Sequence, residues 1–350
     1  MVNNKRIKQI IFKNISLTTV IVILVAILIL ITADFGCKKD SYKSETISLR
    51  IGWQPPWANQ GQLVAIMKNT DILKQNSVKV EWVPFSYGGP MTEAALANRI
   101  DILFVGDQPA ITLISRSNDW KIIARMASYR SGILVPIKSE LNDIQDLIGK
   151  KVAAAFGSTT HRDTFRILSE SNLTEKVKLV HLDQAEHAGI IEAGNEDKWG
   201  KIDAIATYDP TIAASLEKGK AKLLYSWSSP AVIVANQEIL QRHRKELLAF
   251  LKAYIEAYVI YAKNTDQADK WYSLESRLPL NLNSYGDIAK YEPNMSAKNE
   301  KDVNISLKED FIEMLQKNAD VAFKVGIIKK RVIIGDSIVD LDKELSKQIH

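Results

Sequence analysis

The segment KVAAAFGSTTHRDTFRILSESN, residues 151–172, decides the fold class, because it contains one complete strand–turn–helix unit. Its first six residues are small or apolar apart from the leading lysine, which is typical of a buried strand. A helical pattern runs from residue 160 to residue 172. Between them, Gly157 and the hydroxyl residues after it predict a tight corner at which the helix begins.

Strands and helices alternate on both sides of this segment. Further strands are predicted at 47–53, 78–85, 100–106, 177–182, 202–208 and 221–227. Further helices are predicted near 61–75, 91–98, 185–194, 210–219, 237–264 and 307–325, with a turn at 86–90. This alternation predicts βαβ units, a parallel sheet and an α/β fold.

The order of elements repeats at an offset of about 102 residues, which predicts two similar α/β lobes. Asp101 and Asp107 in the first set match Asp203 and Asp209 in the second at equal spacing. The apolar stretches 131–137 and 229–237 are the predicted crossings, so two hinge strands join the lobes. Lobe one then consists of residues 47–135 and 236–350, and lobe two of residues 136–235.

The N-terminal 36 residues are predicted to be a signal or a membrane anchor. Residues 15–33 carry no charge, follow a basic stretch and are long enough to span a bilayer. Cys37, the only cysteine, comes soon after, and residues 37–46 form a polar tether. Three interpretations stay open: a lipoprotein signal with Cys37 lipidated, an uncleaved anchor, or a cleaved signal. Each places the body outside the cytoplasm.

Composition excludes several classes of function. The formal net charge is +5, but residues 37–350 carry only +2, so nothing favours nucleic-acid binding. One cysteine excludes an internal disulfide. The five histidines lack metal-ligand spacing, and glycine-rich phosphate loops are absent from the sequence. We therefore expect no metal and no cofactor.

The corner in the opening segment is a candidate anion site. Gly157 allows a close approach to the backbone, and Ser158, Thr159 or Thr160 can cap the helix. Free N–H groups and the helix dipole at such a corner favour an anion. His161 and its neighbour Arg162 face either the ligand or the solvent.

The same corner has a catalytic interpretation, in which Ser158 and His161 form a nucleophile and its base. Asp183 or Asp209 would complete the triad. A GxSxG elbow is absent from the sequence, and such combinations are common by chance. We therefore predict that the protein is not an enzyme.

Other predicted strand ends meet the cleft between the lobes. The remaining candidate ligand-binding residues are Gln54, Trp57, Tyr87, Gly88, Gly89, Asp107, Tyr208 and Asp209. The aromatic members suit a partly apolar ligand, and the two aspartates either bind a ligand amine or cap helices. The stripe of Phe250, Tyr254, Tyr258 and Tyr261 has helical spacing and predicts packing.

The stretches 100–111, 146–168 and 202–224, in that order, resemble the nitrate/sulfonate/bicarbonate group of ABC-transporter substrate-binding proteins, which includes alkanesulfonate and taurine receptors. The similarity spans roughly residues 47–335. It implies a type II periplasmic-binding-protein fold, an extracytoplasmic monomer, and delivery of a small anionic organic solute to a membrane permease. By position, it also implies that the site is lined by Gln54, Gly88, Gly89, Asp107, Ser158, Thr159, Thr160, Tyr208 and Asp209.

One stretch departs from this resemblance. The first loop, IGWQPPWANQG at 51–61, is bulkier and richer in tryptophan than the group leads us to expect. Two alternatives therefore stay open. One is a protein on the same fold that binds, or makes, a pyrimidine precursor of thiamine, although the cysteine-rich motif of the synthases is missing. The other is a tethered sensor that binds another protein.

Overall fold

Eight strands form one mixed sheet in the computed structural model, which describes residues 47–276 and 282–349. The strands are β1 (Ser48–Trp53), β2 (Lys79–Pro84), β3 (Ile102–Gly106), β4 (Trp120–Pro136), β5 (Lys151–Ala154), β6 (Lys178–His181), β7 (Ala204–Tyr208) and β8 (Ala221–Asn236). Their order across the sheet is β2-β1-β3-β8-β4-β7-β5-β6. The predicted signal or anchor, Cys37 and the polar tether at 37–46 lie outside the described residues.

Two long antiparallel strands, β4 and β8, form the middle of the sheet. At one end of this pair β8 bonds to β3, and at the other end β4 bonds to β7. We call β1–β3 with the adjoining ends of β4 and β8 the first half, and β5–β7 with the opposite ends the second half. The predicted crossings 131–137 and 229–237 fall within these strands, and the lobe boundaries stay a prediction.

The predicted strand at 221–227 is confirmed, but it is continuous with the predicted crossing at 229–237, and the two together form β8. The polar residues before Pro230 looked like a break in the sequence. The strand continues through them because β4 runs alongside and pairs Ser128 with Pro230 and Tyr129 with Ser229.

Helices connect the parallel strands and cover the sheet. They are α1 (Ala58–Asn69), α2 (Ile72–Gln75), α3 (Gly88–Leu96), α4 (Asp107–Arg116), α5 (Thr159–Glu170), α6 (Gln184–Ala193), α7 (Thr211–Glu217), α8 (Gln237–Arg242), α9 (Arg244–Lys263), α10 (Thr265–Ser276), α11 (Leu282–Ala289), α12 (Glu309–Lys324) and α13 (Asp342–Ile349). The predicted helix 61–75 corresponds to two helices, α1 and α2. The predicted helix 237–264 also corresponds to two, α8 and α9, which are separated at His243. No helix among the described residues is long and apolar enough to cross a membrane.

The aspartates that repeat in the sequence make the same kind of hydrogen bond, once in each half of the sheet. Asp101, just before β3, accepts a hydrogen bond of 2.9 Å from the N–H of Arg50 in β1. Asp203, just before β7, accepts one of 2.8 Å from the N–H of Lys151 in β5. Each carboxylate therefore links the first strand of its half to the strand that ends at the candidate site.

Helix α9 packs its aromatic stripe against the first half. Phe250, Tyr254, Tyr258 and Tyr261 are all buried, as predicted. The ring centroids of Tyr254 and Phe104 are 5.1 Å apart, and Tyr258 donates a hydrogen bond of 2.6 Å to the carbonyl of Met126. Because burying each such ring stabilises the fold by about 2 kcal/mol, the stripe holds β3 firmly in place.

Candidate functional site

A small cavity lies between the two halves of the sheet. Its volume is about 10 Å³, which is close to the space that one water molecule needs. We call it the central cavity. The residues that line it are Gln54, Trp57, Gly88, Gly106, Pro109, Tyr129, Ser158, Thr159 and Tyr208. Both halves contribute, and every one of these side chains is uncharged.

Four helices begin at the central cavity. Trp57, Gly106 and Ser158 are the N-caps of α1, α4 and α5, and Gly88 is the first residue of α3. Within the described residues, the N-cap residues of α1, α3 and α4 supply no side-chain cap, although the N–H of Gln108 in α4 donates to Thr159 Oγ1 at 3.2 Å. Because a helix N-terminus carries unsatisfied N–H groups and a partial positive charge, four of them favour an anion.

The aromatic residues supply a further donor. The indole Nε1 of Trp57 is buried and has no hydrogen-bond partner among the described residues. Its ring packs edge-on against Tyr129, with centroids 4.6 Å apart. The hydroxyl of Tyr208 donates to Gln54 Oε1 at 3.3 Å. Because an unpaired buried donor costs about 1–3 kcal/mol, the Trp57 N–H is suited to an acceptor on a ligand.

Asp107 lies in a buried ion pair across the two halves and does not line the central cavity. Its Oδ2 is 2.5 Å from Arg162 Nη1, and both side chains are at most 1% exposed. Thr159 Oγ1 donates to its Oδ1 at 2.9 Å, and Asn318 donates to its Oδ2 at 2.7 Å. Arg162 also donates to Asp163 at 2.7 Å. Both partners of the pair are therefore engaged within the protein, so Arg162 faces neither ligand nor solvent.

Asp209 is also engaged within the protein. Arg130 donates to both of its carboxylate oxygens, at 2.8 and 2.7 Å. The N–H of Ala213 in α7 donates to Oδ1 at 3.1 Å. This geometry agrees with the helix-capping interpretation of Asp209, and it leaves no carboxylate lining the central cavity for a ligand amine.

The other predicted residues lie around this cavity. Tyr87, Gly89 and Gly157 line a neighbouring space of about 370 Å³. Ser158 is the cap of α5, accepting from the N–H of His161 at 3.1 Å. The hydroxyl of Thr160 is directed to Ser131, 3.3 Å away, and does not line the central cavity.

Three residues of the central cavity were missed by the sequence reasoning. Gly106 and Pro109 lie within two residues of the predicted Asp107. The predicted end of the strand at residue 106 was therefore the signal that could have identified them. Tyr129 had no such signal, because the predicted strand began only at residue 131 whereas β4 begins at Trp120.

His161 is mostly buried beside the cavity. Its ring stacks on Phe156 with centroids 4.4 Å apart, and its Nδ1 accepts from the N–H of Gly157 at 3.4 Å. Burial, with a smaller contribution from His181, lowers the pKa of His161 from 6.5 to about 4. The neutral ring is therefore the form that fits the folded protein.

This lowered pKa predicts a loss of stability in acid. Because the unfolded chain takes up the proton near pH 6.5 and the folded chain only near pH 4, stability falls as pH drops through that window. At pH 5 the loss attributable to His161 is about 2 kcal/mol relative to pH 7. Urea denaturation at both pH values should show a smaller loss in His161→Gln. An equal loss in the two proteins would contradict the assignment.

Comparisons with known proteins agree with this geometry. The model of the family described as "ABC transporter, phosphonate, periplasmic substrate-binding protein" matches residues 56–197. The Bacillus subtilis protein named "Putative aliphatic sulfonates-binding protein" is 26% identical over 328 residues, covering 91% of this chain and 93% of that protein. The taurine-binding periplasmic protein of Escherichia coli is 23% identical over 233 residues, covering 65% and 70%.

A solved structure shows the same fold. The alkanesulfonate-binding protein SsuA from Xanthomonas axonopodis pv. citri, bound to MOPS, has a TM-score of 0.70 and 22% identity, covering 84% of this chain and 98% of that one. The expected type II periplasmic-binding-protein fold is confirmed. Over residues 56–197 the chain resembles substrate-binding proteins of ABC transporters. Among its relatives, proteins of Bacillus subtilis and of Escherichia coli are named as putative aliphatic sulfonates-binding proteins.

Proposed function

We propose that this protein binds a small organic sulfonate at the central cavity, which widens as the two halves of the sheet move apart to admit the anion, and delivers it to the membrane permease of an ABC importer outside the cytoplasm. The observation that carries the proposal is the meeting of four helix N-termini at one uncharged cavity. The names of the relatives, which include sulfonate- and taurine-binding proteins, support the same ligand class. The protein acts as a monomer, held at the membrane by lipidated Cys37 or by the N-terminal segment.

The charge of the site favours a sulfonate over a phosphonate. The lining residues supply neutral N–H and O–H donors, and Arg162 is already bound to Asp107 and Asp163. A sulfonate carries one charge and only accepts hydrogen bonds, so these donors satisfy it. The second charge of a phosphonate would be buried without a cation, which is unfavourable.

The predicted ligand-binding residues fall into two groups: those that would contact the proposed anion and those that would not. Gln54, Trp57, Gly88, Ser158, Thr159 and Tyr208 would contact it directly, since they line the central cavity. Asp107 instead joins α4 to Arg162 of α5, whereas Asp209 binds Arg130 of β4 and caps α7. We propose no chemical step, because Ser158 Oγ accepts from the N–H of His161 and is not hydrogen-bonded to its ring.

The proposal is tested by titrating the purified full chain with methanesulfonate and methylphosphonate in a calorimeter. We expect methanesulfonate to bind more tightly at pH 7.5. The variant Trp57→Phe keeps a smaller aromatic ring but loses the indole N–H, so its affinity for methanesulfonate should fall about fivefold to tenfold, the value of one hydrogen bond.

Trp199→Phe is the matched control. Trp199 is also buried with an indole N–H that has no partner among the described residues, but it does not line the central cavity. This variant should bind methanesulfonate like the original protein. If the original protein binds no sulfonate, the proposed function is wrong. If both variants lose the same affinity, Trp57 does not contact the anion.

A further inference from the structure

Cations and exposed apolar residues lie together at the end of helix α12 and in the segment after it. We call this surface the basic patch. It consists of six exposed residues: Phe323, Lys324, Lys329, Lys330, Arg331 and Ile333. Phe323 is 43% exposed and Ile333 is 63% exposed, although both side chains are large and apolar. Apolar side chains that project among cations are typical of a surface that contacts a partner.

Hydrogen bonds from Gln316 in α12 fix the direction of Ile333. Gln316 donates to the carbonyl of Val332 at 3.0 Å and accepts from the N–H of Ile334 at 2.8 Å. The side chains of Val332 and Ile334 are buried in the core of the first half. Ile333 has an extended backbone, in which alternate side chains point in opposite directions, so it projects away from that core.

Asp320 joins the rest of the basic patch to the same helix face. It lies one turn after Gln316 in α12, and its Oδ1 accepts from Arg331 Nε at 3.2 Å. Phe323 and Lys324 follow Asp320 by three and four residues, which places them beside it on the helix surface. The patch is therefore one continuous surface, although its residues come from a helix and from the chain that follows it.

Positive charge is concentrated at the basic patch. Residues 317–333 contain five cations and one anion, a net charge of +4. Because residues 37–350 carry +2 in all, the rest of the body carries −2. Arg331 pairs with Asp320, whereas Lys324, Lys329 and Lys330 form no ion pair within the described residues. The field of the patch therefore attracts an anionic surface.

The chain that leaves the basic patch runs to the end of the sheet at which β1 begins. The Nζ of Lys121, near the start of β4, donates to the carbonyl of Asp336 at 2.9 Å. A row of paired residues crosses the sheet from this point to β1: Ile338, Ile122, Val234, Leu103 and Gly52. The predicted tether, residues 37–46, spans at most about 35 Å when extended. An anchor ahead of it therefore keeps this end of the sheet within reach of a bilayer.

We propose that the basic patch docks on the anionic surface of a phospholipid bilayer. The lysines lie at the headgroup phosphates, and Phe323 and Ile333 enter the boundary of the acyl chains. The two projecting apolar side chains favour a bilayer over an acidic protein surface, because a bilayer accepts them without a shaped pocket. Docking goes beyond solute binding, since it holds the body beside the membrane in which the permease lies.

The experiment places an environment-sensitive dye on the basic patch of the full chain. Ile333→Cys is combined with Cys37→Ser, so that the dye nitrobenzoxadiazole reacts at one position only. The chain is incorporated into lipid nanodiscs of phosphatidylcholine, alone or with about 30% phosphatidylglycerol. We expect the emission to rise and move to shorter wavelength only in the anionic discs. About 0.5 M sodium chloride should reverse the change, since it shortens the screening length to about 4 Å.

Charge variants test the role of the lysines. Lys329→Gln with Lys330→Gln removes two exposed charges. Because each lysine near an anionic surface contributes about fivefold, the equilibrium constant for docking should fall about 25-fold. Lys298→Gln with Lys301→Gln is the matched control, because these lysines are also exposed but lie outside the patch, beside acidic residues. This control should leave the dye signal unchanged.

Leu274→Cys, labelled in the same way, is the control for the dye. Leu274 is 80% exposed and is followed by an acidic residue, so its dye should emit alike in both kinds of disc. Equal emission from the two discs at position 333, an equal response at position 274, or an equal loss in the control lysine variant would overturn the inference. None of these positions lines the central cavity, so a failure of methanesulfonate binding would overturn the proposed function alone.

Discussion

Replacing Arg162 by methionine is expected to lower the free energy of unfolding by about 3–5 kcal/mol. The methionine fits the volume of the side chain but leaves Asp107 and Asp163 buried without their cation. Removing one partner of a buried pair costs this much because the remaining charge has lost its water and gains nothing in return. Urea denaturation at pH 7 measures the change.

Arg166→Met is the matched control on the same helix. Arg166 is 33% exposed and its hydrogen-bonded partner Glu170 is 61% exposed, so the solvent screens this pair, and Arg166 Nε is 4.0 Å from Asp163 Oδ1, too far for a hydrogen bond. We expect the free energy of unfolding to change by less than about 0.5 kcal/mol. Adding Asp107→Asn to Arg162→Met should restore part of the lost stability, since it removes one uncompensated charge. A loss below about 1 kcal/mol in Arg162→Met would contradict the buried pair.

The elements of the fold were predictable because their signals are local. The small, apolar run before Gly157 and the helical pattern after it correspond to β5 and α5. The hydroxyl cap was likewise a local pattern, and Ser158 fills that role. The length of β4 was not predictable, because polar residues in its middle are held in the strand by pairing with β8, about a hundred residues away in the sequence.

The partners of the site residues depend on contacts between distant parts of the chain. Asp107 and Arg162 are separated by 55 residues, and Arg130 and Asp209 by 79. From the sequence alone, either aspartate could bind a ligand amine, because the sequence does not show which arginine pairs with it. A space of about 780 Å³, lined by Trp53, Trp82 and Phe85 on the first half and by helix α6 on the second, was hidden for the same reason, since its two walls come from separate halves of the sheet. The tryptophan-rich first loop was its only trace in the sequence.

Gly106→Ala is expected to lower the affinity for methanesulfonate by at least about 100-fold, or about 2.7 kcal/mol. A Cβ on Gly106 would lie 2.4 Å from Thr159 Oγ1 and 3.0 Å from the hydroxyl of Tyr129. These atoms belong to residues that line the central cavity, and Thr159 lies on the opposite half. The added methyl group therefore takes up space between the two halves in which the anion is proposed to bind.

The same substitution should lower stability only in part, so that binding can be measured on a folded protein. Gly106 has φ −62° and ψ 160°, a conformation that alanine adopts without strain. The close contacts with Thr159 and Tyr129 outweigh the restriction of the unfolded chain by alanine, so the free energy of unfolding should fall by about 1–3 kcal/mol. Gly335→Ala is the control, because a Cβ there meets nothing within 4 Å. Calorimetry should show normal binding in the control and weak binding in Gly106→Ala. Normal binding in both would mean that the halves need not meet at Gly106 to hold the anion.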